Sequence, residues 1–172
     1  MPSNIEVKAR VKHPEKLQAL VKTITQTPGQ SIKQEDIFFR VPKGRLKLRR
    51  VLDSPSELIY YHRENVPAPK VSQYIIWPVD KPDILETILI SALGLLGRVR
   101  KERTLYRIGP TRIHLDRVES LGNFLELEVV LAEIQPPTDP LKMTFTLMEA
   151  LKIQNDDLIS GAYLDLLIEN KE

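Results

Sequence analysis

The sequence predicts an α+β fold built on an antiparallel sheet, either open or closed into a barrel. About eight segments show the period-two alternation or the short apolar runs of β-strands, and tight turns join most of them. Only two or three segments have helical spacing, and they do not alternate with the strands as βαβ units would. We expect a single domain, 1–172, that is large enough to bury its own core.

The first half of the chain contains one predicted helix among five predicted strands. Residues 4–12 alternate apolar and polar side chains, and residues 15–25 then carry Leu17, Val21 and Ile24 at helical spacing until Pro28-Gly29 interrupts the pattern. Turn residues, among them Pro42-Lys43-Gly44, separate the four strands that follow. These strands are predicted at residues 34–41, 45–52, 57–64 and 71–79.

The second half begins with a predicted helix over residues 84–93. Asp80 is its candidate N-cap, Pro82 lies in its first turn, and Gly94 or Gly97 can end it. Three strands follow at 98–108, 112–119 and 123–133, and Pro136–Pro140 opens a further helix that runs to residue 151. A short segment at 156–158 and a closing strand at 162–168 complete the prediction.

Composition excludes several classes of function. The chain has no cysteine, which excludes disulfides and thiolate metal sites, and its three scattered histidines argue against a zinc site. A formal net charge of +2 argues against general nucleic-acid binding. No apolar run is long enough to span a membrane, and the N-terminal residues resemble no signal peptide. We therefore expect a cytoplasmic protein without a membrane partner.

Charged side chains concentrate on one face of at least four predicted strands. Arg45-Leu46-Lys47-Leu48-Arg49 places bases on one face and leucines on the other, and Glu126 and Glu128 lie about 7 Å apart on one face of their strand. A solvated face of an antiparallel sheet gives the same alternation. However, Ser, Thr and Gln are almost absent from these positions, and bases and acids occupy different strands. The alternative is a curled sheet with its charged face inward and helices outside.

A charged interior is expensive unless water or an oppositely charged partner fills it. Lys and Arg bind phosphate oxygens, and carboxylates bind Mg²⁺ or Mn²⁺ through hard oxygen atoms. The carboxylates would repel a bare phosphate. Their presence beside the bases therefore predicts a polyphosphate or nucleotide ligand together with a divalent cation.

An ordered set of motifs resembles the CYTH, or triphosphate tunnel metalloenzyme, superfamily. Glu6-x-Lys8 resembles the ExExK signature, and Gln34–Phe39, Leu46–Arg49 and Arg100–Arg103 resemble the second strand and the two basic strands of the family. Arg-Ile-His-Leu-Asp followed by Phe-Leu-Glu-Leu-Glu resembles its acidic half, and Gly-Ala-Tyr-Leu-Asp-Leu-Leu its closing strand. The resemblance covers nearly the whole chain.

This resemblance implies an eight-stranded antiparallel barrel, with helices packed outside and a triphosphate and a divalent cation, Mg²⁺ or Mn²⁺, in its lumen. It further implies three groups of site residues. Those that would bind phosphate are Lys8, Lys47, Arg49, Arg63, Lys101 and Arg103, with Lys70, Arg107, Arg112 and Tyr163 as weaker candidates near strand ends. The metal would be bound by Glu6, Asp116, Glu126 and Glu128. The catalytic candidates are Glu6, Lys8 and Glu128.

One departure from the family signature leaves the reaction open. Asn4 replaces the first Glu of ExExK and removes one anionic ligand, a form associated with the class IV adenylyl cyclase-like branch. We predict a triphosphatase that acts on inorganic tripolyphosphate, thiamine triphosphate or a nucleoside triphosphate. The alternatives are an adenylyl cyclase, whose base pocket would draw on Phe38, Phe39, Tyr61 and Trp77, and a non-catalytic binder of organic phosphate or polyphosphate. A homodimer is compatible with the exposed alternation.

Overall fold

The computed structural model describes all residues of the chain, 1–172, and has a closed antiparallel barrel of eight strands at its centre. Around the barrel the strands are ordered β1-β5-β4-β3-β2-β6-β7-β8, and β1 closes the ring by pairing with both β5 and β8. The predicted α+β class and the implied eight-stranded barrel are confirmed. The strands are β1 (Ser3–Arg10), β2 (Gln30–Phe39), β3 (Arg45–Val51), β4 (Ser56–Arg63), β5 (Lys70–Val79), β6 (Leu95–Ile108), β7 (Thr111–Val118) and β8 (Gly122–Val130).

Three helices pack against the outside of the barrel: α1 (Pro14–Thr25), α2 (Pro82–Leu93) and α3 (Pro140–Ala150). Leu125 and Leu127, which alternate with the charged residues of β8, are fully buried beneath α1 and α3. Ile37 and Leu48 are buried in the same way beneath α2. The period of two therefore divides each strand between an apolar outer layer and a polar lumen.

A fourth helix, α4 (Tyr163–Glu169), closes one end of the barrel. Its Tyr163 and Leu164 pack on an apolar layer inside the barrel that includes Phe38, Val99 and Phe124. At the opposite end Ile76 and Arg107 line the lumen and are exposed to solvent. The lumen therefore opens at one end only.

The closing strand predicted at 162–168 is wrong, because these residues form α4. A short apolar run does not by itself distinguish a strand from a helix. The Asp165 carboxylate accepts a hydrogen bond from the Ala162 N–H at 2.7 Å and pairs with Arg45 at 2.6 Å, which fixes the first turn of the helix. In addition, β1 and β8 pair directly and leave no position for a ninth strand.

Two smaller findings concern the remaining predictions. Lys81, and not Asp80, is the N-cap of α2, and no side chain caps it, whereas Gly94 ends the helix at φ 88° as expected. Residues 131–133 and 155–157 form 3₁₀ turns.

None of the helices is both long and apolar enough to cross a membrane. On the outer face of β5, Val71, Ile75 and Trp77 are exposed, and a homodimer stays a prediction.

The outer apolar layer should dominate the stability of the barrel. We expect Leu127→Ala to lower the free energy of unfolding by about 2–5 kcal/mol, because Leu127 is fully buried and its truncation leaves a cavity. The matched control Leu141→Ala removes a side chain that is 43% exposed and should change it by less than about 0.5 kcal/mol. Urea denaturation measures both, and equal losses would contradict the assignment of the core.

Candidate active site

The lumen of the barrel is a polar cavity of about 280 Å³. This volume lies near the lower end of the roughly 300–1,000 Å³ typical of small-ligand sites, and so favours a compact ligand. The lining carries eight Lys or Arg side chains and five carboxylates, an excess of positive charge that suits an anion. All eight strands and the first turn of α4 contribute side chains to it.

One half of the lining is built around the buried carboxylate of Asp36. It accepts two hydrogen bonds from the Arg49 guanidinium, at 2.8 and 2.9 Å, and one from Lys47 Nζ at 2.8 Å. Burial alone would raise the pKa of Asp36, but Arg49 and Lys47 hold it well below its ordinary value. The register explains the contact, since Asp36 of β2 lies directly across from Arg49 of β3. A carboxylate therefore lies among the Lys and Arg side chains, and the predicted separation of bases and acids onto different strands is only partial.

Asp116 of β7 holds a second buried ion pair, with Arg103 of β6. Arg103 donates two hydrogen bonds to it, at 2.7 and 2.8 Å, and the Tyr163 hydroxyl donates a third at 2.7 Å. Burial would raise the pKa of Asp116, yet Arg103 and then Lys101 lower it. Asp116 is thus fully engaged by protein partners, and it is not among the side chains that line the cavity.

Glu126 and Glu128 of β8 reach the lumen beside His114 of β7. Nδ1 of His114 lies 3.8 Å from a Glu126 oxygen and 4.0 Å from a Glu128 oxygen, and it has no hydrogen-bond partner although it is buried. Glu126 also accepts from Arg103 at 2.8 Å, whereas the nearest base to Glu128 is Arg112 at 3.7 Å. Burial, followed by the charge of Arg103, lowers the pKa of His114 and favours the neutral imidazole.

The N-terminal strand contributes Asn4, Glu6 and Lys8 to the same lumen. Nε of Arg63 lies 2.9 Å from a Glu6 oxygen, yet burial and the charge of Glu126 outweigh this pairing and raise the pKa of Glu6. Lys8 Nζ lies 3.7 Å from a Glu126 oxygen and 3.9 Å from the centre of the Tyr163 ring. Oδ1 of Asn4, a buried residue, has no hydrogen-bond partner.

The structure brings nearly all of the predicted site residues to one cavity. Of the fourteen candidates, twelve line the cavity and two, Asp116 and Lys70, do not. Asp116 lies directly behind Arg103 and Tyr163, and Lys70 donates to the carbonyl oxygen of Val66. The lining candidates are Glu6, Lys8, Lys47, Arg49, Arg63, Lys101, Arg103, Arg107, Arg112, Glu126, Glu128 and Tyr163.

Comparison with known proteins decides the family. The CYTH domain model matches residues 3–163. The chain belongs to the CYTH domain family. Over 68 residues, 40% of this CYTH chain and only 39% of the relative, it is 35% identical to the MJ0240 protein of Methanocaldococcus jannaschii, a protein provisionally named an adenylate cyclase.

Solved structures share the fold of this CYTH domain at low sequence identity. The PH1012 protein of Pyrococcus horikoshii OT3 matches with a TM-score of 0.81 and 24% identity, over 95% of this chain and 98% of that one. HpAC1 from Hippeastrum matches with a TM-score of 0.62 and 15% identity, over 94% and 91%. HpAC1 is provisionally assigned to the adenylyl cyclases, and its dominant activity is that of a triphosphatase. These likenesses establish the barrel fold.

Two positions of the CYTH lumen were missed by sequence reasoning. His114 shares the strand parity of Arg112 and Asp116, so the alternation of β7 already placed it on the inner face. Asp36 lies in the second-strand motif, but its link to two bases depends on the register of β2 and β3, which the sequence does not state.

Asp116, which lies behind the lining, and Glu128, which lies in it, should respond differently to neutralisation. Asp116→Asn leaves Arg103 without its main partner, and we expect the free energy of unfolding to fall by about 3–5 kcal/mol. Glu128→Gln breaks no close contact and should change it by less than about 1 kcal/mol. Chemical denaturation of the two variants makes the comparison. A larger loss for Glu128→Gln would show that Glu128, and not Asp116, is the structural acid.

Proposed function

We propose that this CYTH domain hydrolyses a triphosphate with the help of a divalent cation. The observation that carries the proposal is the single lumen in which Lys47, Arg49, Lys101 and Arg103 face a cluster of carboxylates around Glu128. A triphosphate needs both features, because the bases offset the charge of its oxygens and the carboxylates bind the accompanying cation. The dominant triphosphatase activity of HpAC1, which has the same fold, supports the assignment.

The bases of β3 and β6 are the proposed phosphate ligands. Their charged groups are preorganised, since Asp36 fixes Lys47 and Arg49, and Asp116 fixes Arg103. Preorganised cations stabilise charge that develops on a transferred phosphoryl group without first reorganising solvent. Lys8, Arg63 and Arg112 line the same lumen and would contact the remaining phosphate oxygens.

The residues around Glu128 fit a divalent cation. Glu128 has no Lys or Arg nitrogen within 3.5 Å, and the buried Nδ1 of His114 and Oδ1 of Asn4 both lack hydrogen-bond partners. These three ligand atoms could therefore bind a cation without giving up close existing bonds. Carboxylate and amide oxygens suit Mg²⁺ and Mn²⁺. When bound, such a cation would neutralise phosphate charge and polarise a phosphate oxygen.

In the proposed reaction, water attacks the terminal phosphorus and the bond from that phosphorus to its bridging oxygen breaks. Orthophosphate leaves, and the shortened phosphate chain carries the bridging oxygen away. Glu6 or Glu128 orients the water and accepts its proton. The raised pKa of Glu6, which burial and Glu126 cause, makes it the better proton acceptor of the buried carboxylates.

Cyclisation of ATP finds less support, because no site for adenine stands out. Among the four aromatic candidates, Phe39 is buried in the outer layer beneath α2, and Trp77 is 68% exposed and does not line the lumen. Phe38 and Tyr61 do line it, but both belong to the apolar layer that packs against α4. The unpartnered Asn4 keeps a non-catalytic phosphate binder as the second alternative.

Product analysis tests the function directly. We would incubate tripolyphosphate, ATP and thiamine triphosphate with Mg²⁺ or Mn²⁺ and resolve the products by anion exchange. Orthophosphate with a shortened phosphate chain is the expected result. Cyclic AMP with pyrophosphate would replace the proposal by a cyclase, and binding without any product by a phosphate-binding domain.

Removal of the acidic pair should abolish the reaction. We expect Glu126→Gln with Glu128→Gln to reduce kcat/KM roughly 100-fold or more, since even outer-shell partners of a metal typically contribute about 10–100-fold. The control Glu133→Gln neutralises an exposed carboxylate outside the lumen and should leave the rate unchanged. Unchanged hydrolysis in the double variant would refute the metal role of this pair.

Binding of a polyphosphate should take up protons at alkaline pH. Burial, and then Arg103, lower the pKa of Lys101 to about 7, and burial with Arg49 lowers that of Lys47 to about 8. In the free protein these amines lose their protons as the pH rises through those values, and a bound polyanion restores them. Above the pKa of the amine in the ligand-free protein, the need to take up each such proton weakens binding by about tenfold per pH unit.

Calorimetry in two buffers of different ionisation enthalpy measures this uptake for tripolyphosphate. The matched variant Lys101→Arg keeps its charge at every pH and should take up about one proton fewer than the wild type near pH 8 to 9. Equal uptake by the two proteins would show that Lys101 is already charged before the ligand binds.

A further inference from the structure

His114 adds a buried nitrogen atom to a set of candidate metal ligands for which the sequence predicted only carboxylate oxygen atoms. Its side chain is 5% exposed, and its Nδ1 has no hydrogen-bond partner. A buried polar atom without a partner is unfavourable and is rare in folded proteins. The carboxylate oxygens of Glu126 and Glu128 lie 3.8 and 4.0 Å from this nitrogen, too far for a hydrogen bond.

These separations fit a shared cation. A metal ion that binds two atoms at about 2.1 Å each cannot hold them more than about 4.2 Å apart. Both distances from Nδ1 fall below that limit, and the three donor atoms all lie within 4.8 Å of one another. Because 4.8 Å exceeds the limit of about 4.2 Å, one Glu side chain would have to move slightly for all three atoms to bind one ion.

Three other buried carboxylates near the lumen are less available than Glu126 and Glu128. Asp116 accepts three hydrogen bonds from Arg103 and Tyr163, Asp36 is held by Lys47 and Arg49, and Glu6 is paired with Arg63 at 2.9 Å. Glu126 does share one oxygen with Arg103, but a carboxylate oxygen has a second lone pair.

The strand that faces Glu128 also lacks the charge for a second ion. Glu6 lies directly across from Glu128 in the β1–β8 register, and Asn4, two residues earlier, carries a neutral amide where an acid would be needed. With Glu6 already paired to Arg63, β1 offers no free carboxylate for a second ion.

We propose that the lumen binds one divalent ion through His114, Glu126 and Glu128, and that the imidazole gives this site a preference for Mn²⁺ over Mg²⁺. Mg²⁺ strongly favours oxygen ligands, whereas an imidazole nitrogen adds affinity for transition metals. The inference rests on the proposed function because it names the cation of that site, but its test does not depend on turnover.

The decisive measurement is pulsed electron paramagnetic resonance of the full chain loaded with Mn²⁺. A nitrogen bonded to the ion produces a nuclear modulation that oxygen ligands do not. We expect one Mn²⁺ per chain and nitrogen modulation in the wild type, and loss of that modulation in His114→Asp. The control His62→Asp changes an exposed histidine outside the lumen and should keep both. If the wild-type protein shows no nitrogen modulation, that result alone overturns the proposal.

Titration of the wild type and the His114 variants with Mn²⁺ and Mg²⁺ provides a second test. His114→Ala should weaken Mn²⁺ binding by about tenfold or more, and His114→Asp should lower the ratio of Mn²⁺ to Mg²⁺ affinity. An unchanged ratio, modulation retained in His114→Asp, or two equivalent Mn²⁺ ions per chain would overturn the inference. Hydrolysis, measured separately on the same samples, reports on the proposed function. A site with nitrogen modulation and no turnover refutes that function while the metal assignment stands.

Discussion

Desolvation of charge is the constraint on which the rest of this molecule depends. The charged residues that alternate with the apolar outer layer of this barrel point into its lumen, and there an unpaired charge is strongly disfavoured. The interior meets this constraint with a few multivalent ion pairs, of which Asp36 with Lys47 and Arg49, and Asp116 with Arg103, are the tightest. Because each acid lies one strand away from its bases, the pairs also link neighbouring strands and fix their side chains in the lumen.

Two populations of buried charge result from this arrangement. Asp36 and Asp116 are saturated by protein partners and act as structural acids that position bases. Lys101, Glu128 and His114 are incompletely compensated, which appears in the low pKa of Lys101 and in the unpartnered Nδ1 of His114. The second population marks the positions where a bound ligand would supply the charges or bonding partners that the protein itself does not provide. Such groups destabilise the free protein and gain most when a partner binds.

The fold was largely predictable from the sequence because alternation is a strong local signal. Leu125, Leu127, Glu126 and Glu128 define the two faces of β8 without any knowledge of their neighbours. The closure of the barrel was not derivable from alternation, which is equally compatible with an open sheet, and came only from the family resemblance. The failed strand at 162–168 has the same origin, since seven residues with an apolar majority satisfy either period.

The site was predictable to the level of its members but not of its pairings. Strand parity places His114 and Asp116 on the same face, yet only the three-dimensional arrangement shows that Asp116 turns to Arg103 and Tyr163 while His114 stays free. Which acid is structural and which is available depends on register between strands and on the position of α4. Neither is written in the local sequence.

The closure of one end of the barrel by α4 determines how molecules enter and leave the lumen. With Tyr163 and Leu164 seated on Phe38 and Phe124, whatever enters beside Arg107 must also leave there. Under the proposed function, substrate entry and product exit would share one path, and a product that stays bound would block the next molecule. A polyphosphate longer than the lumen is deep would be held by one end with the remainder outside, so the proposed reaction would be confined to the end that enters first.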